Sequence, residues 1–142
     1  MVIKLSAEQL EYMAMYEKIS GASVIDCVLP EKANRVVFVV RRGDISMAIG
    51  KGGMNVKKAR SRFGRDIEII EYNDDPGEFI TKLASPARIQ GVRIVEGSGK
   101  RTAYVNVHPQ DRGIAIGKEG STINKIKELS RRHHKIDNVV IV

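Results

Sequence analysis

The chain has 142 residues, 24 Lys/Arg against 17 Asp/Glu, three His and one Cys, for a formal charge of +7. With 42% hydrophobic and 29% charged residues it has the composition of a soluble globular chain, long enough for one ordinary domain or two very small ones. The longest apolar run, Val36 to Val40, is too short for a membrane span, Met1–Ser6 lacks the apolar segment of a secretory signal, and a lone cysteine forms no intrachain disulfide. A reducing, cytoplasmic setting is expected.

Along the chain, Ser6 followed by Gln9 is a capping-box start. Leu10, Met13, Ala14, Met15 and Ile19 then supply an apolar helical face, and Gly21 is a natural stop. Val24–Leu29 reads as a strand, Pro30–Asn34 as a polar connection, and Arg35–Val40 as a second, β-branched strand. Asp44 is placed to cap a short helix ending at Gly50. After the glycines, Val56, Ala59 and Phe63 recur at helical spacing up to Gly64, and Ile67, Ile69 and Glu71 mark a closing strand. The polar stretch Tyr72–Gly77 leads to the same order again. A helix covers Glu78–Ala84, and strands lie near Ile89–Val95 and Thr102–Val107. A short helix follows Asp111, a longer one runs from Ser121 to about Arg132, and Val139–Val142 closes the chain.

The recurrence is also literal. At an offset of 67 residues, Val40 meets Val107, Asp44 meets Asp111, Ala48-Ile49-Gly50-Lys51 meets Ala115-Ile116-Gly117-Lys118, Gly53 meets Gly120 and Lys58 meets Lys125. Eight of the 23 residues from 36 to 58 are identical across it. Two copies of one small domain are expected, at 1–72 and 73–142, and the short link between them predicts that they pack together. The charge is concentrated within the copies. Residues 41–65 hold eight Lys/Arg and one acid, and residues 112–135 hold seven and two. Two basic blocks on a slightly acidic body suit a polyanion.

At the centre of each copy stands Ile-Gly-x-x-Gly-x-x-aliphatic, as Ile49-Gly50-Lys51-Gly52-Gly53-Met54-Asn55-Val56 and Ile116-Gly117-Lys118-Glu119-Gly120-Ser121-Thr122-Ile123. Glycines at both ends let the backbone turn sharply and approach a ligand closely. The following helix presents unsatisfied N–H groups at its N-terminus, where anions bind. A lysine inside the loop adds a positive charge for a phosphodiester. Such a clamp holds nucleic-acid backbone without reading sequence. The flanking Ile49, Val56, Ile116 and Ile123 are expected to be mostly core residues.

In this element order the motif resembles the type II KH domain, and the pair resembles the tandem KH region of NusA transcription factors, in the form of the short archaeal NusA-like proteins. The resemblance implies an α+β fold of two tandem type II KH domains, each α-β-β-α-α-β. It implies a non-catalytic protein that binds single-stranded RNA in transcription elongation or termination, with RNA polymerase as a partner, acting as a monomer without cofactor or metal. A groove beside each loop would hold about four nucleotides. The residues expected at RNA are Gly50, Lys51, Gly52, Gly53, Asn55, Lys57 and Lys58 in the first copy. In the second they are Gly117, Lys118, Glu119, Gly120, Ser121 and Lys125. Lys58 and Lys125 are preferred among the following cations because the repeat aligns them. With Lys57, Arg60, Arg62, Lys127, Arg131 and Arg132 they follow the loops, and helical spacing cannot aim all of these at one ligand, so some are solvated surface. Two positions depart from the family pattern: Met54 stands where glutamine is common, and Glu119 sets an acid beside Lys118, weakening the second clamp.

Other signals carry less. None of the seven aromatic residues lies in a loop motif, which disfavours base-stacking platforms. Gly97-Ser98-Gly99-Lys100-Arg101-Thr102 fails the P-loop pattern at Ile94 and Arg101 and reads as a turn between strands. His108, His133 and His134 are badly spaced for a metal, and Cys27 reads as a buried small hydrophobe. Two alternatives use the same fold: a ribosome- or ribonucleoprotein-associated adaptor, and an RNA-processing factor.

Overall fold

A computed structural model describes residues 3–142; Met1 and Val2, where the 1–72 domain and the N-terminal stretch begin, lie outside the described residues. The chain divides into two compact units, Lys4–Tyr72 and Asn73–Val142, with Ile3 belonging to the second. The first contains α1 (Ala7–Ser20), β1 (Val24–Val28), β2 (Arg35–Val40), α2 (Ile45–Ile49), α3 (Met54–Phe63) and β3 (Asp66–Glu71). The second contains α4 (Pro76–Ala84), β4 (Ile89–Gly97), β5 (Lys100–Val107), α5 (Arg112–Ile116), α6 (Ser121–His134) and β6 (Asn138–Ile141). Both are α+β, in the order expected. In each, the middle strand in sequence is also the middle strand in space: β2 pairs antiparallel with β1 and parallel with β3, and β5 likewise with β4 and β6.

Local signals set the ends of several elements. The capping box at Ser6 and Gln9 forms in both directions, and Gly21 closes α1 in the left-handed conformation. Asp75 caps α4 by accepting the N–H of Glu78, so that helix begins at Pro76, two residues before the sequence reading placed it.

The buried face of α1 differs from the expected stripe. Tyr16 is fully buried, with Tyr12, Met13 and Ile19 packed beside it, whereas Leu10 is 53% exposed. The aromatic rings decide the rotation of the helix. Tyr16 stacks on Phe38 of β2 with centroids 4.6 Å apart, and Tyr12 meets Phe63 of α3 edge-on at 4.9 Å. This core, with Val36, Val40, Ala48 and Ala59, seats α2 and α3 on the sheet. Losing the Phe38 ring to alanine would cost about 3–5 kcal/mol. In the second unit α4 packs along α6, and Phe79 lies against the rings of His133 and His134.

Candidate nucleic-acid interface

The loop of the first unit is held from three sides. The hydroxyl of Tyr16, whose ionisation burial pushes up to about 12, donates to the carbonyl of Ala48 at 2.7 Å in the last turn of α2. The Asn55 side-chain amide donates to the carbonyl of Met47 at 2.9 Å, tying α3 back to α2. Gly53 N–H donates to the carbonyl of Gly50 at 3.0 Å, closing the 3-10 turn Lys51–Gly53. The second loop repeats that closure, Gly120 N–H to Gly117 carbonyl at 3.1 Å.

The two loops have the same backbone. Gly50 sits at φ 79°, ψ 166° and Gly117 at φ 78°, ψ 168°, a region essentially reserved for glycine. A Cβ on Gly50 would lie 3.1 Å from the backbone nitrogen of Asn55, and one on Gly117 would lie 2.7 Å from that of Thr122. The middle position differs in kind. Gly52 (φ 62°) and Glu119 (φ 55°) are ordinary left-handed residues, and a Cβ on Gly52 meets nothing within 4 Å. Glu119 therefore fits the loop at the cost of left-handed strain, about 1–2 kcal/mol.

Neither α3 nor α6 has a side-chain cap; Gly53 and Gly120 occupy their N-cap positions. The first N–H of each helix is already donated, Met54 to the carbonyl of Lys51 and Ser121 to that of Lys118. At the loop edge Lys51, Gly52, Lys118 and Glu119 are exposed and Gly53, Gly120 and Ser121 are half-buried. The isoleucine ahead of each loop is not core. Ile49 is 38% exposed and Ile116 44%, and Met47, Met54 and Ile114 stand out beside them at 50%, 53% and 45%. Apolar side chains thus flank both glycine loops. Sequence reasoning missed this because an isoleucine inside a periodic apolar pattern reads as interior.

The sequence-selected residues do not all converge. Lys51, Gly52, Lys57 and Lys58 line one open groove of about 690 Å³ in the first unit. Asn55 serves the loop through its bond to Met47. Lys125, aligned with exposed Lys58 by the repeat, is only 5% exposed and so is withdrawn from a surface ligand. It lies on α6 beside fully buried Ile126, in the helix against which α4 packs. The two copies pack this helix differently.

Asp44 corrects another expectation. It stands before α2 but makes no capping bond; its Oδ2 accepts the N–H of Ser23 at 2.8 Å and its Oδ1 pairs with Arg41 at 3.2 Å. Those contacts, the backbone N–H of Ser23 foremost, hold its carboxyl below the usual range. Gly97–Lys100 is a tight hairpin turn with Ser98 at φ 54° and Gly99 at φ 75°. Cys27 is fully buried. His134 is buried with Nε2 2.9 Å from the carbonyl of Asn73, and burial lowers its pKa. Among the described residues there is no metal-ligand cluster, and no helix is long and apolar enough to cross a membrane.

Comparison with known proteins agrees with this geometry. Residues 12–74 match the KH domain model, and residues 76–139 match the NusA-like second KH domain. The chain is 37% identical to the probable transcription termination protein NusA of Methanococcus vannielii, over 100% of this chain and 81% of that protein. It is 36% identical to the protein of that name from Halobacterium salinarum, over 98% of each. The crystal structure of APE1850 superposes with a TM-score of 0.81 at 29% identity, covering 97% of this chain and all of that one. Two loops of one geometry, each inside a KH-type unit and matched over the full length of the chain, place it in the family of NusA-like tandem KH proteins.

Proposed function

We propose that this protein binds single-stranded RNA, without altering it chemically, as a factor in transcription termination or elongation. The observation that carries this reading is the duplicated loop: one backbone geometry built twice, uncapped at the following helix and bearing an exposed lysine each time. Loop and first-turn N–H groups take a phosphate, Lys51 or Lys118 adds charge, and the apolar residues flanking the loop give the attached bases a surface. Gly50, Gly53, Gly117 and Gly120 shape the backbone, Asn55 ties the first turn of α3 to α2, Ser121 opens α6, and Lys57 and Lys58 extend the positive field. RNA polymerase is the expected protein partner, the cytoplasm the expected compartment and the monomer the working form.

The test is titration of a labelled oligouridylate over a range of salt with the wild type and a Lys51→Asp/Gly52→Asp variant. A Cβ on Gly52 meets nothing within 4 Å, so Gly52→Asp adds left-handed strain of about 1–2 kcal/mol but no clash, and circular dichroism checks that the variant is folded. The variant should lose the first clamp's binding, and the wild-type slope should be about −0.7 per phosphate contacted. A folded variant that binds normally would refute the clamp. A wild type that ignores free RNA would favour an adaptor, and strand shortening with added Mg²⁺ would favour a processing factor.

A further inference from the structure

We propose that the first unit carries its RNA contact beyond the loop, across the outer face of α3 to the end of α1, with Arg62 and Lys18 forming the far end of a phosphate track. This rests on the RNA-binding reading of the loop and extends the same strand's path.

The groove that begins at Lys51 and Gly52 continues past Met54, Lys57, Lys58 and Ser61 to Arg62. A second hollow of about 260 Å³ takes over there, lined by Lys58, Arg62, Lys18 and Ile19. Lys58 and Arg62 border both hollows, which therefore lie side by side along α3. From Met54 to Arg62 the helix rises about 12 Å, enough for roughly three phosphates at stacked spacing.

Its charge is of one sign. α3 contains no acid, and neighbouring Glu17 is turned away, its carboxylate accepting the N–H of Val24 at 3.0 Å. Among the described residues, no ion pair engages Lys18, Lys51, Lys57, Lys58 or Arg62. The lining offers no aromatic ring and no carboxylate, so it suits sugar-phosphate backbone rather than base edges.

The second unit lacks the track. At the repeat offset, Lys57, Ser61 and Arg62 become Asn124, Glu128 and Leu129. Leu129 is fully buried, and Glu128 is bonded to Arg132 at 2.8 Å. A cationic face general to the fold would recur there, so this path is a feature of the first unit. Its continuity with the phosphate-facing loop favours the same RNA over an acidic protein.

The experiment uses the full chain in a Lys118→Asp background, which silences the second loop, and oligouridylates of about four and about ten nucleotides. Adding Arg62→Gln and Lys18→Gln should leave the short strand's affinity unchanged. It should weaken the long strand about tenfold at low salt and reduce its salt slope by about 1.4, two phosphates' worth. Unchanged affinity and slope for the long strand would overturn the track while leaving the clamp standing. So would loss of an acidic protein partner with RNA binding intact. If Lys51→Asp/Gly52→Asp leaves both strands bound as before, the clamp reading fails and the track falls with it.

Discussion

Asp111 accepts the backbone N–H of Arg88 at 2.8 Å and takes the guanidinium of the same residue at 2.8 and 3.1 Å, joining the start of α5 to the entry of β4. Asp44 makes the matching bond to Ser23 in the first unit. Each aspartate stands just ahead of the short helix that delivers the chain to its loop, so each fixes where that loop is presented.

Arg88's guanidinium, and then its backbone N–H, hold the Asp111 carboxyl down to about 2 from an ordinary 3.8. On acidification the unfolded chain therefore takes up this proton first. The stabilisation is complete above about pH 5 and is lost progressively as pH falls through 3.8 and past 2. Asp111→Asn should lower the thermal midpoint near neutrality and flatten its acid limb. Asp44→Asn, with fewer bonds to lose, should do both more weakly. An acid limb unchanged in Asp111→Asn would assign acid unfolding to other carboxylates.

The glycines of one loop are not equivalent. Gly50→Ala and Gly117→Ala each place a Cβ in a glycine-only region and against the next helix's backbone, for about 1–3 kcal/mol of strain before any clash. Gly52→Ala, left-handed but in open space, should cost about 1 kcal/mol. Urea denaturation checks the order; equal losses at positions 50 and 52 would contradict it.

Glu119→Gly removes both a left-handed side chain and an acid from the second loop. Net stabilisation should be about 1 kcal/mol or less, since glycine also loosens the unfolded chain. RNA binding should strengthen. Gly52→Glu should weaken RNA binding in the first unit. Paired titrations of the two variants decide this, and opposite signs would mean that the middle position faces away from the ligand.

β3 ends at Glu71 and α4 begins at Pro76, and the link between them is tied by Asn73, which accepts the N–H of Asp75 and donates to Glu78. On the proposed RNA-binding reading, two clamps joined by a short link raise each other's effective concentration on one strand. Affinity and salt slope should keep rising from about four to about twelve nucleotides in the wild type. In Lys118→Asp the rise beyond the first unit's own reach should disappear. A plateau at one groove's length in the wild type would make the copies independent binders.

Element order, the capping box at Ser6, the stop at Gly21 and both loop motifs were legible in the sequence because each depends on residues within about one helical turn of one another. The loop glycines are the clearest case, since backbone torsion is a local property. Rotation of α1 about its axis was not legible: stacking of Tyr16 on Phe38 buries Tyr16 and leaves Leu10 in solvent, and that pairing is long-range. The role of Asp44 was hidden for the same reason, its partner lying 21 residues away. Lys58 and Lys125 occupy one position of the repeat, yet packing leaves the first exposed and buries the second. Chain-local chemistry determined what each loop is; exposure depends on which helix lies across which, and only the tertiary structure decided the cations a ligand can reach.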